Sequence, residues 1–95
     1  MTPDPILQAL GLARRAGRII DGESQVLVSL AKHDQGVVFL ASDAGDNIRK
    51  KIVDKCRSFG IRLHTNYTSD QLSRALGKLH RKVVLLIDPR FIDKN

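Results

Sequence analysis

Val37-Val38-Phe39-Leu40-Ala41 and Val83-Val84-Leu85-Leu86-Ile87 are unbroken apolar runs of strand length. A strand that shows no polar alternation is covered on both faces, so both runs belong in the middle of a sheet flanked by helices. The chain on either side of them supplies those helices. After the first run, Asp43 to Asp46 makes a turn, with Asp46 expected as N-cap, and a helix runs from Asp46 or Asn47 to Phe59. Its buried stripe is predicted as Ile48, Ile52, Val53, Cys56 and Phe59, and Gly60 stops it. Before the first run, Gly22 opens a helix whose apolar face is Val26, Leu27, Leu30 and Ala31, ending around Lys32 to Gly36.

The remaining segments complete the alternation. Asp4 reads as an N-cap with Pro5 at the first helical position, and Ile6, Leu7, Leu10, Ala13 and Ala16 recur at helical spacing up to Gly17. Arg18 to Asp21 is a short β-branched stretch, read as a brief strand. Ile61 to Thr65 alternates apolar residues with Arg62 and His64, the pattern of an edge strand on which His64 faces solvent. Thr68 or Ser69 caps a helix carrying Leu72, Ala75 and Leu76, which Gly77 closes. Asp88 and Pro89 begin a terminal turn or short helix. Helix followed by strand, four times over, predicts a three-layer α/β/α sandwich with two central and two edge strands.

The chain has 95 residues, enough for one compact domain spanning residues 1–95, and 42% of them are hydrophobic, as in a globular protein. Lys and Arg number 16 against 10 Asp and Glu, for a net charge of +6. A basic surface of this kind attracts polyanions, which favours nucleic acid over a merely soluble surface. Only Phe39, Phe59, Tyr67 and Phe91 are aromatic, too few for a sheet that stacks on successive bases. Cys56 is the single cysteine, so no disulfide framework or cysteine metal cluster is expected. Met1 to Ile6 lacks the apolar stretch of a signal peptide, and no run reaches membrane-spanning length. A cytoplasmic protein, with no membrane partner, is the expectation.

Catalytic patterns are not found. His33, His64 and His80 have no cysteine or acid at metal-ligand spacing, and no nucleophile elbow, phosphate loop or paired-carboxylate motif is present. Cys56, on the apolar stripe of its helix, reads as a small hydrophobe. No metal, cofactor or enzymatic activity is expected. The Asp43–Asp46 turn stands where open α/β sheets often bind ligands, but its acids would repel a phosphate. Basic residues form three groups: Arg14, Arg15 and Arg18; Arg49, Lys50, Lys51, Lys55 and Arg57; and Arg74, Lys78, His80, Arg81 and Lys82. The second completes an amphipathic helix and reads as a solvated face. The loop from Lys78 to Lys82 has no acid in it and lies at one rim of the sheet.

Three stretches then carry a resemblance: LGLARRAGRIIDGESQVL (10–27), VVFLASDAGDNIRKKIVDKC (37–56) and TSDQLSRALGK (68–78). Over residues 6 to 87 the chain resembles the kink-turn-binding ribosomal protein superfamily (ribosomal protein L-seven-Ae and L-thirty-e type), and within it the bacterial YlxQ-type proteins. The resemblance implies a four-stranded mixed sheet and binding to a kink-turn, a duplex bent at a short bulge flanked by sheared G·A pairs. In the family the start of the second helix meets those pairs through a Gly-x-Asn-Glu motif, supported by a lysine one turn on. A second loop, before the last strand, holds the bulged nucleotides.

Carried onto this chain, the motif glycine is Gly22 and the variable residue is Glu23, while the Asn and Glu positions hold Ser24 and Gln25. The lysine position is Val28, with Lys32 further along the helix, and the second loop is Lys78, Leu79, His80 and Arg81. Arg18 completes the candidate set as a basic neighbour. Ser24 and Gln25 can each donate and accept hydrogen bonds, where glutamate only accepts. The implied partner is RNA, a kink-turn or other bent helix with ribosomal RNA among the candidates, bound by a monomer. A protein-interaction module on the ribosome or the transcription–translation machinery is the alternative, and the uncharged Val28 favours it. Nucleotide binding at the Asp43–Asp46 turn is the third reading.

Overall fold

The computed structural model describes residues 4–93. Asp4 starts the first helix as the sequence predicts: its carboxylate accepts from the backbone N–H of Ile6 at 2.8 Å and of Leu7 at 3.3 Å. Tyr67 donates its phenol to the same carboxylate at 3.0 Å, which ties the start of that helix to the loop before the fourth. Burial, and then the adjoining Asp4 carboxylate, push the Tyr67 phenol up to about 12.

Eight main elements follow in helix–strand order: α1 (Pro5–Arg15), β1 (Ile19–Asp21), α2 (Glu23–Ser29), β2 (Val37–Leu40), α3 (Asp46–Phe59), β3 (Arg62–His64), α4 (Ser69–Leu76) and β4 (Val83–Leu86). Short 3₁₀ turns at Leu30–Lys32 and Pro89–Phe91 extend α2 and close the described chain. The strands form one sheet in the order β1-β4-β2-β3, with β2 parallel to β3 and β4 antiparallel to both of its neighbours. The sheet is therefore mixed, and the apolar strands β2 and β4 are its centre, as expected. Helices α1 and α4 pack together on one face and α2 with α3 on the other, giving the α/β/α sandwich. Every residue of β2 and β4 is buried, because each meets a helical layer on both sides.

Four local expectations change. Asp46 is not the N-cap of α3; Gly45 is, in extended conformation, and no side chain caps that helix. Asp43 instead caps α4, accepting from the Ser69 backbone N–H at 2.8 Å and from its hydroxyl at 2.8 Å. Thr68 and Gln71 add a reciprocal capping box there. His64 is half-buried and not simply solvent-facing; it stacks on Phe39, its register partner on β2, with ring centroids 5.1 Å apart. Phe59, at 41% exposure, leaves the core at the last turn of α3 and lies under the Lys55 ammonium at 5.9 Å. Ala16 and Ala31 are also exposed, since each falls where its helix is already ending.

Cys56 is buried on α3 as predicted, and burial pushes its thiol up to about 11. Roughly one thiol in a thousand is then ionised at pH 8, so native protein is expected to resist thiol reagents. Labelling with a chromogenic disulfide should follow global unfolding and reach one equivalent in urea. Rapid labelling under native conditions would show that the α3 stripe is misassigned.

Candidate nucleic-acid interface

Antiparallel pairing of β1 with β4 is what builds the site. The register places Asp21 opposite Val84, so the end of β1 lies beside the start of β4. The Gly22 N–H donates to the Val83 carbonyl at 3.2 Å, and this bond locks the turn into α2 against the loop that enters β4. Two stretches far apart in the chain, 22–25 and 78–82, thereby become neighbours at one end of the sheet.

Asp21 fastens them further. Its Oδ2 accepts from Lys78 Nζ at 2.9 Å and from Arg81 Nε at 3.0 Å. Burial opposes ionisation of this carboxyl, but the hydrogen bonds from Lys78 and Arg81 outweigh that and hold it below the ordinary carboxylate value. Arg81 also donates from Nη1 to the Leu79 carbonyl at 3.0 Å, and its backbone N–H donates to the hydroxyl of the buried Ser73 at 2.8 Å. The loop is thus held at its backbone and at its side chains. At its tip His80 adopts a left-handed conformation, φ 56°, and Leu79 is 76% exposed. Such an arrangement is rare outside glycine and persists where neighbouring bonds over-determine it.

The other half of the site begins at Gly22, with φ 90° and ψ 144° and no atom within 4 Å of where a Cβ would stand. This conformation is natural only to glycine. It turns the chain from the end of β1 into α2 and leaves the turn uncovered. The N–H groups of Glu23, Ser24 and Gln25 precede the first intrahelical donor, Val26 to Gly22, and so have no partner within the helix. Ser24, Gln25, Val28 and Lys32 are exposed and follow one another along a single helical face, Val28 at 69%. Glu23 turns sideways and pairs with Lys51 of α3 at 3.3 Å.

A family model described as "Ribosomal protein L7Ae/L30e/S12e/Gadd45 family" matches residues 4–91. This chain belongs to that family. Among curated relatives it is 34% identical over 85 residues to "RNA-binding protein YlxQ" of Bacillus subtilis (strain 168), covering 90% of this chain and 85% of the relative. It is 31% identical over 88 residues to the Enterococcus faecium protein of the same description, covering 93% and 84%. Among solved structures, a Bacillus halodurans protein of unknown function superposes with TM-score 0.83 at 39% identity, over 90% of this chain and 86% of that one. A "15.5kD RNA binding protein" of Giardia lamblia superposes with TM-score 0.74 at 18% identity, over 88% and 72%, a likeness of fold.

In this member of the L7Ae/L30e/S12e/Gadd45 family, Gly22, Glu23, Ser24, Gln25, Lys78, Leu79, His80 and Arg81 come together at one end of the sheet, with Val28 further along α2 and Lys32 in the 3₁₀ turn that follows it. Arg18 does not join them. It precedes β1, about 10 Å from Asp21 by strand rise, and its carbonyl accepts from Ile87 at the opposite end of the sheet. Sequence reasoning missed Asp21, Ser73 and Lys51. Asp21 read as the end of a strand, and its role needs the β1–β4 register. Ser73 was hidden in a helix, and Lys51 in a run that completed an amphipathic pattern. At the Asp43–Asp46 turn the Asp43 carboxylate is already engaged by Ser69, whose bonds hold it below its ordinary value. Among the described residues no group of three or more His, Cys, Asp or Glu is placed to hold a metal, and no helix is long and apolar enough to cross a membrane. A surface groove runs between α1 and α4, lined by Leu7, Gly11, Leu12 and Ala75, on the other helical layer.

Proposed function

We propose that this chain binds structured RNA, recognising a kink-turn or similarly bent helix, and acts as one RNA-binding unit in the cytoplasm in association with the translation machinery. The observation that carries this is the fusion of the Gly22–Gln25 turn with the Lys78–Arg81 loop into one surface, held by the Gly22 to Val83 bond. Membership of a family named for ribosomal proteins, and relatives described as RNA-binding, support the same reading.

The two halves suit different parts of a bent duplex. The free N–H groups at the start of α2 and the Gln25 amide can meet base edges, since the amide both donates and accepts. Gly22 leaves room for the backbone to approach closely. Lys78 and Arg81 supply cations for phosphates, Arg81 with planar donors that match phosphate oxygens. Exposed Leu79 can pack on an unstacked base. A bent helix offers base edges and bulged nucleotides at one fixed separation, and a straight helix does not.

In electrophoretic titrations at moderate salt, the protein is expected to bind a kink-turn duplex at least about tenfold tighter than a straight duplex of equal length. Gln25→Ala combined with Arg81→Ala should abolish that preference, each lost contact costing about 1–3 kcal/mol. Circular dichroism should show the fold intact. Equal affinity of the unsubstituted protein for both RNAs would sink the selective reading.

A second reading, a protein-interaction or accessory module, is favoured by Val28, which puts an apolar, uncharged group on the outer face of α2. A stoichiometric protein partner, with no salt-dependent RNA binding by the purified chain, would favour it.

A further inference from the structure

We infer that Asp21 sets the selectivity of this surface: by holding Lys78 and Arg81 in one arrangement, it makes the 78–81 loop read RNA shape rather than attract any phosphate backbone. The inference rests on the RNA-binding reading above and deepens it.

The geometry is that of a shared anchor. One carboxylate oxygen takes both cations, at 2.9 and 3.0 Å, and the Asp21 side chain is 17% exposed against 34% and 35% for Lys78 and Arg81. The acid lies beneath the two bases, immediately before Gly22, where the two halves of the site meet. Arg81 is pinned on three sides, by Asp21, by the Leu79 carbonyl and by Ser73, while its Nη2 has no partner among the described residues. The guanidinium thus has a fixed base and an open outer edge.

Two physical effects follow, with opposite signs for different RNAs. Long basic side chains carry much rotamer entropy, and side chains already ordered lose less of it on binding. An RNA whose phosphates or bulged nucleotides fit the fixed arrangement gains from that order. The carboxylate also offsets one of the two positive charges, leaving the cluster a single net positive charge. Attraction to an arbitrary backbone grows with each phosphate neutralised, so Asp21 lowers affinity for RNA that does not fit. Selectivity rises from both causes. Freed of Asp21, the two side chains would sample many positions and follow whatever phosphates were near.

The test compares four proteins: unsubstituted, Asp21→Asn, Lys78→Gln with Arg81→Gln, and the triple variant. Each is titrated with a kink-turn duplex and a straight duplex over a salt series. Asp21→Asn keeps the size and one acceptor of the side chain. It is expected to bind straight duplex about three- to tenfold tighter, with a steeper salt dependence. Its kink-turn affinity should gain less or fall, so that the preference for the kink-turn drops by about fivefold or more. In the Lys78→Gln, Arg81→Gln background the same change should alter the preference less than about twofold, because Asp21 acts through those two residues.

Nitrogen-15 NMR gives a readout without RNA: the Arg81 Nε–H should be ordered in the unsubstituted protein and averaged in Asp21→Asn. An unchanged preference in Asp21→Asn, an equal drop in the background lacking both bases, or an Arg81 Nε–H that stays ordered without the carboxylate overturns the role of Asp21. An unsubstituted protein with no preference between the RNAs overturns the binding reading first, and this inference with it.

Discussion

Gly22→Ala is expected to lower stability by about 1–3 kcal/mol and to weaken binding to a kink-turn duplex at least about tenfold. The backbone at φ 90° and ψ 144° lies where an L-residue is strained, although the space around a Cβ is empty. The stability cost is therefore conformational and not steric. The protein can relieve it by turning the peptide, but the Gly22 N–H then leaves the Val83 carbonyl. That bond holds the start of α2 to the entrance of β4, so relief of strain separates the two halves of the site. If the backbone holds instead, the methyl group stands on the open surface where RNA would approach. Urea unfolding and the two-duplex titration measure the two effects separately. Stability and affinity both within about twofold of the parent protein would show that the turn does not carry the site.

Phe39→Ala should have the largest effect on stability, about 3–5 kcal/mol. Phe39 is the largest fully buried side chain, on a central strand, and it stacks on His64 at 5.1 Å with Tyr67 at 6.2 Å. Truncation removes its apolar burial and leaves a cavity between the two inner strands and a helical layer. It also strips His64 of its partner, leaving the ring of an edge strand without a surface. A domain of this size is stable by about 5–15 kcal/mol, so the variant would keep little margin and melt roughly 15 °C lower or more. A loss under about 1 kcal/mol in urea would mean that the inner strands are not packed as described.

The central strands were legible because an unbroken apolar run of five residues admits little besides a strand covered on both faces. The Asp4 cap and the Gly60 and Gly77 stops were legible for a local reason: each satisfies backbone groups of its own helix. Errors fell where a residue's role depends on a partner elsewhere. Asp46 looked like an N-cap from its own neighbourhood, but the turn uses Asp43, and uses it on α4. His64 alternates as a solvent-facing residue would, yet parallel pairing with β2 sets it against Phe39. Phe59 completes the stripe of α3 by spacing, yet as the last residue of that helix it is largely exposed.

By itself the sequence determined the alternation of helices and strands, which strands are central, and that residues 22–25 and 78–81 are two places of interest. The alternation and the central strands follow from side-chain periodicity and backbone capping, which act over a few residues; residues 22–25 stood out only through the family resemblance, and 78–81 through that resemblance and a basic run with no acid in it. Only the tertiary structure decided that the two places are one. The antiparallel register of β1 on β4 brings Asp21 beneath Lys78 and Arg81, across some sixty residues of chain. It also left Arg18 just before the opposite end of β1. Strand pairing is non-local, and in this sheet it is what makes a surface from two turns.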